Sequence, residues 1–244
     1  MKRTERHHLK KNEIATSVAR VREAIEIYHK PIVAVLIAIA LVVVAVVAVT
    51  AWRRGSDTDA RQMLADAMLV ASAPVAPPPA AGTDAPASPA PGTYATERAK
   101  LEAALPKFVA AAEAHPSSEA GIAARYHAGA ILAALGRQAE AEQRYREVID
   151  RAGSGLYGRM ARLGMANTKA AAGQYDEAIA TYKELSEQKD TELPVDGVLM
   201  QLGRTYVQAG KPAEARQAFQ RIIDEFPQSP YASLATRELA QAKS

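Results

Sequence analysis

The sequence predicts an all-α fold: a single transmembrane helix followed by a solenoid of stacked helical hairpins. Gly136, Gly173 and Gly210 stand 37 residues apart. Each precedes an acid-alanine pair (Glu140-Ala141, Glu177-Ala178, Glu214-Ala215), and four residues past each alanine comes an aromatic: Tyr145, Tyr182 and Phe219. Upstream, a small residue recurs at Gly129, Ala166 and Gly203. A fixed period in this range marks hairpins that are too thin to bury their own apolar faces and are stabilised by stacking. The third observation is an uncharged run near the N-terminus.

Residues 1–30 form a basic tail, with eight Lys/Arg against four Asp/Glu. Ile14, Val18, Val21, Ile25 and Tyr28 lie at spacings of four and three, an apolar stripe on one helix face. That stripe could pair with a partner helix, lie on the inner leaflet, or simply lead into the anchor.

Residues 31–52 read PIVAVLIAIALVVVAVVAVTAW, with Thr50 alone polar. At 1.5 Å per residue such a run spans roughly the 30 Å of a bilayer core. Pro31 suits a first helical turn, Trp52 suits an interface, and Arg53-Arg54 close the span. The tail is too long and the TAWRR ending too bulky for a cleaved signal peptide. The tail's Lys/Arg outnumber Arg53, Arg54 and Arg61 on the other side, which puts the tail in the cytoplasm and everything after the span across the membrane. In a Gram-negative bacterium that compartment is the periplasm.

A lead-in helix is expected over 57–72, with Asp57 and Asp59 at its start and apolar residues at helical spacing. Residues 73–94 hold seven prolines among Ala, Gly and Ser, which predicts a disordered linker. The repeat domain then covers 95–244. It opens with a half repeat, 95–116, in which Ala104 and Phe108 take the Ala141 and Tyr145 positions. The lead-in helix would be the first helix of that same hairpin, and Pro106 would bend the second. Full repeats follow at 122–155, 159–192 and 196–229, and a capping helix at 231–242 covers the last apolar face.

Residues 95–244 carry nineteen Lys/Arg and nineteen Asp/Glu. A neutral array has no broad footprint for a phosphate backbone, so nucleic acid is not an expected partner. With no cysteine, disulfides and thiolate-metal sites are excluded. His7 and His8 read as solvated tail residues, His115 as a helix-end residue and His127 as a groove residue without a second ligand. No phosphate-cradling glycine loop, HExxH or nucleophile elbow occurs. Neither an enzyme, nor a cofactor, nor a metal, nor a small-molecule substrate is expected.

The glycine, alanine and aromatic positions, with Pro227 closing the last unit, resemble the tetratricopeptide repeat. Gly203, Gly210, Ala215, Phe219 and Pro227 carry the pattern in the last unit, Ala166, Gly173, Ala178 and Tyr182 in the middle one, and Gly129, Gly136, Ala141 and Tyr145 in the first. The chain departs from that family in lacking the helix A tryptophan, in Gly153 at the terminal proline position, and in its 37-residue period, which predicts inter-hairpin connections about three residues longer. The ordered layout resembles bacterial inner-membrane proteins with a periplasmic tetratricopeptide-like domain, including an ancillary subunit of the Sec translocon that associates with a membrane-anchored chaperone. The resemblance implies work in envelope protein biogenesis or quality control, with a protein partner or client polypeptide for which a translocon component and a periplasmic chaperone are candidates. It also implies a concave groove lined by the first helix of each hairpin. Counting from Ile122, Arg159 and Asp196, its inward positions would be Ala123, Tyr126, Ala130 and Ala133; Met160, Leu163, Asn167 and Ala170; and Gly197, Met200, Arg204 and Val207. Of these, Tyr126, Asn167, Met200 and Arg204 are expected to touch a peptide, unless they pack against the next hairpin. A client-binding scaffold and a stoichiometric structural subunit of an envelope or cell-division complex both fit this reading.

Overall fold

A computed structural model of the chain describes residues 33–50, 56–76, 91–188 and 193–241. The tail stripe, His7, His8, Pro31, Trp52 and Arg53-Arg54 lie outside the described residues. The described chain divides into two units, the first ending at Gly55 and the second starting at Ser56.

The first unit contributes α1, Val33–Thr50, with a mean hydropathy of 3.2 and no part of it buried. Its valines, leucines and isoleucines all stand exposed, Leu41 at 65%. By length and composition this helix is apolar enough to cross a membrane.

The described residues of the second unit form helices α2 (56–71), α3 (Glu97–Ala114), α4 (Glu119–Ala134), α5 (Gln138–Ala152), α6 (Leu156–Ala171), α7 (Tyr175–Glu187), α8 (Val195–Gln208), α9 (Pro212–Glu225) and α10 (Ala232–Gln241). Each helix from α3 packs on the next, and α4, α6 and α8 also neighbour one another in order. That is hairpin stacking with the first helices forming one layer.

The three intra-hairpin turns are built alike. Gly136, Gly173 and Gly210 have φ of 78°, 79° and 71°, the left-handed region where a side chain is strained. The next residue's N–H then reaches five residues back, Arg137 to Leu132 O at 2.8 Å, Gln174 to Lys169 O at 2.9 Å and Lys211 to Tyr206 O at 2.8 Å. Helix-end carbonyls that would otherwise be orphaned are thereby satisfied. Gly173→Ala is expected to cost about 1–2 kcal/mol, read as a lowered denaturant midpoint. A change below a few tenths would show that the turn tolerates a side chain.

Behind each turn, the aromatic of the second helix lies against the small residue of the first. A Cβ added at Gly203 would stand 2.4 Å from the Phe219 ring, and one at Gly129 would stand 3.0 Å from Tyr145. Tyr145 reaches further: a Cβ at Gly164 of the following hairpin would meet its ring at 2.5 Å. Tyr145 thus fills space inside its own hairpin as well as between hairpins.

The longer period is not confined to the connections. The step from α5 to α6 is only Gly153, Ser154 and Gly155, because α4 and α5 run 16 and 15 residues. The α7–α8 step is longer, residues 188–194, and α7 is correspondingly shorter at 13 residues.

Helix α2 buries Ala67 completely, with Met63, Leu64 and Val70 against Ala104, Phe108 and Ala111 of α3. Ser56 Oγ and His115 Nδ1 are hydrogen-bonded at 3.2 Å, tying the start of α2 to the end of α3. Pro106 sits inside α3, which continues through it. The ends of the proline-rich segment depart from the expected disorder. Ala76 N–H donates to Tyr94 O at 2.8 Å and Tyr94 N–H to Pro74 O at 3.0 Å, a short parallel bridge. Backbone groups that proline does not occupy can still pair, and here they close the base of the insertion. Residues 77–90 lie outside the described residues.

Candidate functional site

The first helix of each hairpin is sandwiched between its own second helix and neighbouring hairpins, so only a narrow stripe of it stays open. In α8 that stripe is Gln201, Arg204 and Gln208, all exposed, while Val198, Leu199, Met200, Leu202, Gly203 and Thr205 are buried. One repeat earlier the matching positions in α6 are Gly164, half-buried over the Tyr145 ring, and the exposed Asn167 and Ala171; one earlier again, in α4, His127 and Ala130 are half-buried and Ala134 is exposed.

This corrects the groove expected from the repeat count. Asn167 and Arg204 are exposed and Ala130 is half-buried; of the flanking positions Val207 is exposed, whereas Tyr126, Ala133, Met160 and Leu163 are half-buried. Met200 is the clearest error: it is wholly buried in the cluster formed with Tyr182, Leu199 and Phe219, and no peptide can reach it. Met160 and Leu163 are half-buried against that cluster. Tyr126 is half-buried too, its ring centroid 5.9 Å from Tyr145 and 6.0 Å from Tyr157. Burial, and then Tyr157, raises its phenol above the usual range. Of the remaining inward positions, Ala123 is buried and Ala133 and Gly197 half-buried. Val207 is 49% exposed, and Ala170 lines a cleft.

Among the described residues, two hollows lie on this stripe. The first, about 290 Å³, lies among α2, α3 and α4 and is lined by Met68, Leu101, Phe108, His127, Ala130, Ile131 and Ala134. Its walls are mostly apolar, with Ser72 and His127 as polar members; the His127 ring is 5.3 Å from Phe108 and its pKa is lowered by burial. The second, about 420 Å³, lies among α6, α7 and α8. Asn167, Tyr175, Tyr182, Gln201, Arg204, Thr205 and Gln208 line it, so its walls are polar. The sequence reading picked Asn167 and Arg204 as binding residues, and the fold brings both to this one cleft. It missed Gln201 and Gln208, whose only signal was their 37-residue offset from Gly164 and Ala171.

Within the polar cleft, Tyr182 donates its hydroxyl to Asn167 Oδ1 at 2.7 Å. That fixes the Asn167 amide and leaves its nitrogen without a protein partner among the described residues. Arg204 faces Glu238 of α10 at 3.4 Å, with 43% of its side chain exposed. Long and solvated, that pair is weak. Burial pushes the Tyr182 phenol up to about 12, against a smaller opposing pull from Thr205. Unfolded tyrosine ionises near 10. Between about 10 and 12 the unfolded chain therefore releases a proton that the folded chain keeps, and stability falls as pH rises through that window. Tyr182→Phe is expected to shallow that fall in denaturation midpoints; an unaltered slope would place the proton elsewhere.

Comparison with known proteins agrees with this geometry. A tetratricopeptide-repeat family model matches residues 163–230 and, in a second register, 200–242. Among solved structures, the fold is similar to a Podosopora anserina protein described as a kinesin light chain with nearly identical TPR-like repeats, at 16% identity and a TM-score of 0.50, covering 59% of this chain and 77% of that one. A single-substitution variant of the same protein superposes at a TM-score of 0.51 with the same coverage and identity. A structure of pilF from Pseudomonas aeruginosa matches at 22% identity and a TM-score of 0.49, covering 60% of this chain and 61% of that one. The likeness to the Podosopora anserina structures is one of fold. Comparison with curated proteins returns no match.

Proposed function

We propose that this chain is a membrane-anchored, non-catalytic scaffold of the bacterial cell envelope that binds another polypeptide along the open stripe of α4, α6 and α8. The polar cleft carries the reading: Asn167, Gln201, Arg204 and Gln208 present hydrogen-bonding groups from successive first helices to one exposed surface. Tetratricopeptide-like arrays generally mediate protein–protein interaction, and here Ala134, Asn167, Ala171, Gln201, Arg204 and Gln208 of the first helices stand exposed.

The anchor is α1. Its uniform apolarity and its lack of cover within its own unit support a span rather than a core helix. The basic tail favours a cytoplasmic N-terminus, with the hairpins in the periplasm. The layout supports a partner in the Sec translocon or among periplasmic chaperones. A reporter fused after Ser244 that is active only outside the cytoplasm supports this topology; activity inside overturns it.

The groove is tested by placing a photoreactive residue at Ala171, which is exposed beside the cleft, and irradiating native membranes. Many transient adducts would support client handling. One stoichiometric adduct would point to a structural subunit instead. No adduct at Ala171, with adducts from the outer helices, would remove the groove from the reading.

A further inference from the structure

The two hollows differ in chemistry, and both open on the same stripe. We propose that the stripe recognises a bipartite segment: an apolar anchor residue seated among α2, α3 and α4, and an acidic residue placed against Arg204. This rests on the groove reading above and assigns the partner's chemistry to it.

The first hollow offers apolar walls from Met68, Leu101, Phe108 and Ile131, floored by Ala130 and Ala134, and takes one aliphatic or aromatic side chain. Met68 is 41% exposed at its lip, an apolar surface left uncovered by its own hairpin. In the second hollow Arg204 is the only fully charged group among the lining residues, and no carboxylate lines it. The amides of Asn167, Gln201 and Gln208 surround it. Glu238 shows what such a place accepts: a carboxylate reaches Arg204 from α10, at a distance and exposure that a better-placed partner carboxylate can displace.

Ala130, Asn167 and Arg204 sit on three successive first helices. At roughly 8–10 Å per helix step, Ala130 and Arg204 lie on the order of 20 Å apart. A helical segment covers that in about 13 residues, and an extended one in about six. A segment bearing one apolar and one acidic residue at such a spacing would be held at both ends and in one direction.

The test measures fluorescence anisotropy of synthetic peptides against the full chain in detergent. The peptides carry one Leu and one Glu, separated by four to fourteen Ser/Gln/Ala residues and in both orders; controls keep only the Leu or only the Glu, or replace Glu with Lys. The two-feature peptide of best spacing is expected to bind at least about ten-fold tighter than either single-feature control. Ala134→Glu, at an exposed wall of the apolar hollow, should bring it down to the Glu-only level, and Ala130→Phe, which fills the hollow without adding charge, should do the same. Arg204→Glu should move the preference from the Leu/Glu to the Leu/Lys peptide. Glu238→Gln should strengthen Leu/Glu binding about two- to five-fold by removing the internal competitor.

Equal binding of all peptides, or binding indifferent to the Ala134 and Arg204 changes in variants of unaltered helicity, overturns the proposal. If the Ala171 crosslinker still captures a polypeptide in membranes, the groove survives and only its bipartite chemistry falls. If it captures nothing as well, both fall.

Discussion

Phe219→Ala is expected to lower the unfolding free energy by about 3–5 kcal/mol, the largest effect of any single truncation in the array. Phe219 is wholly buried and sits in one cluster with Tyr182, Leu199, Ile222 and Ala235, which come from α7, α8, α9 and α10. Removing the ring leaves a void that these helices cannot close independently, because Gly203 contributes no side chain to collapse into it. The companion change sharpens the test. Gly203→Ala puts a methyl 2.4 Å from the ring, and overpacking of this kind costs about 1–3 kcal/mol. In the Phe219→Ala background that methyl meets free space, so the double variant should be more stable than the sum of the two losses. Hydrogen exchange adds a spatial prediction. A stacked array transmits stability through nearest neighbours, and α2, α3 and α4 share a separate cluster built on Ala67, Phe108 and Ala128. Protection should fall in α7–α10 and persist in α2–α4. A loss under about 1 kcal/mol, or one spread evenly along the chain, would show that the cluster is not the cooperative unit described here.

The features legible in the sequence were those set by local steric demands. A left-handed turn needs glycine, and a ring lying against a facing helix needs Gly or Ala opposite. Both demands recur with every hairpin, so Gly136, Gly173 and Gly210, with Gly129, Ala166 and Gly203, announced the architecture. Which side of a first helix stays open is not such a demand. It depends on how far each helix rotates to cover its neighbours, so counting one turn back from the exposed Arg204 led to the buried Met200 where the exposed residue is Gln201. Tyr126 shows the same difficulty: its aromatic ring suits a binding surface, but Tyr145 and Tyr157 already occupy its faces. The base of the proline-rich insertion was illegible for another reason. Composition reports the average behaviour of 73–94, whereas the bridge between Val75 and Tyr94 depends on where α2 and α3 bring the two ends.

Arg125 gave no signal in the sequence at all, and its replacement is expected to be nearly as damaging as that of Phe219. It occupies a first-helix position in α4 with 3% of its surface exposed. Nη2 donates to Ala112 O at 2.9 Å and Nη1 to Pro116 O at 3.5 Å, so the guanidinium caps the C-terminal end of α3. On its other side Nε lies 2.9 Å from Glu147 of α5. One side chain therefore joins three helices from two hairpins. Burial, with Arg151 and Arg144 nearby, lowers its pKa, against the opposing pull of Glu147. Arg125→Ala removes the cation and leaves the carbonyls and Glu147 behind, a loss of the kind that costs about 3–5 kcal/mol when the remaining charge is buried. Glu147 is 28% exposed and can be partly rehydrated, which puts the expected value at the lower end, about 3 kcal/mol. Arg125→Lys keeps the charge but lacks the fork that reaches both α3 and α5, so it should recover less than half of the loss. Arg125→Met combined with Glu147→Leu removes both charges together and should cost less than Arg125→Ala alone. If Arg125→Ala lies within about 1 kcal/mol of the parent protein, neither the guanidinium nor its stem joins the hairpins at this point; if the double variant proves the least stable, the expected relief from removing both charges together is overturned.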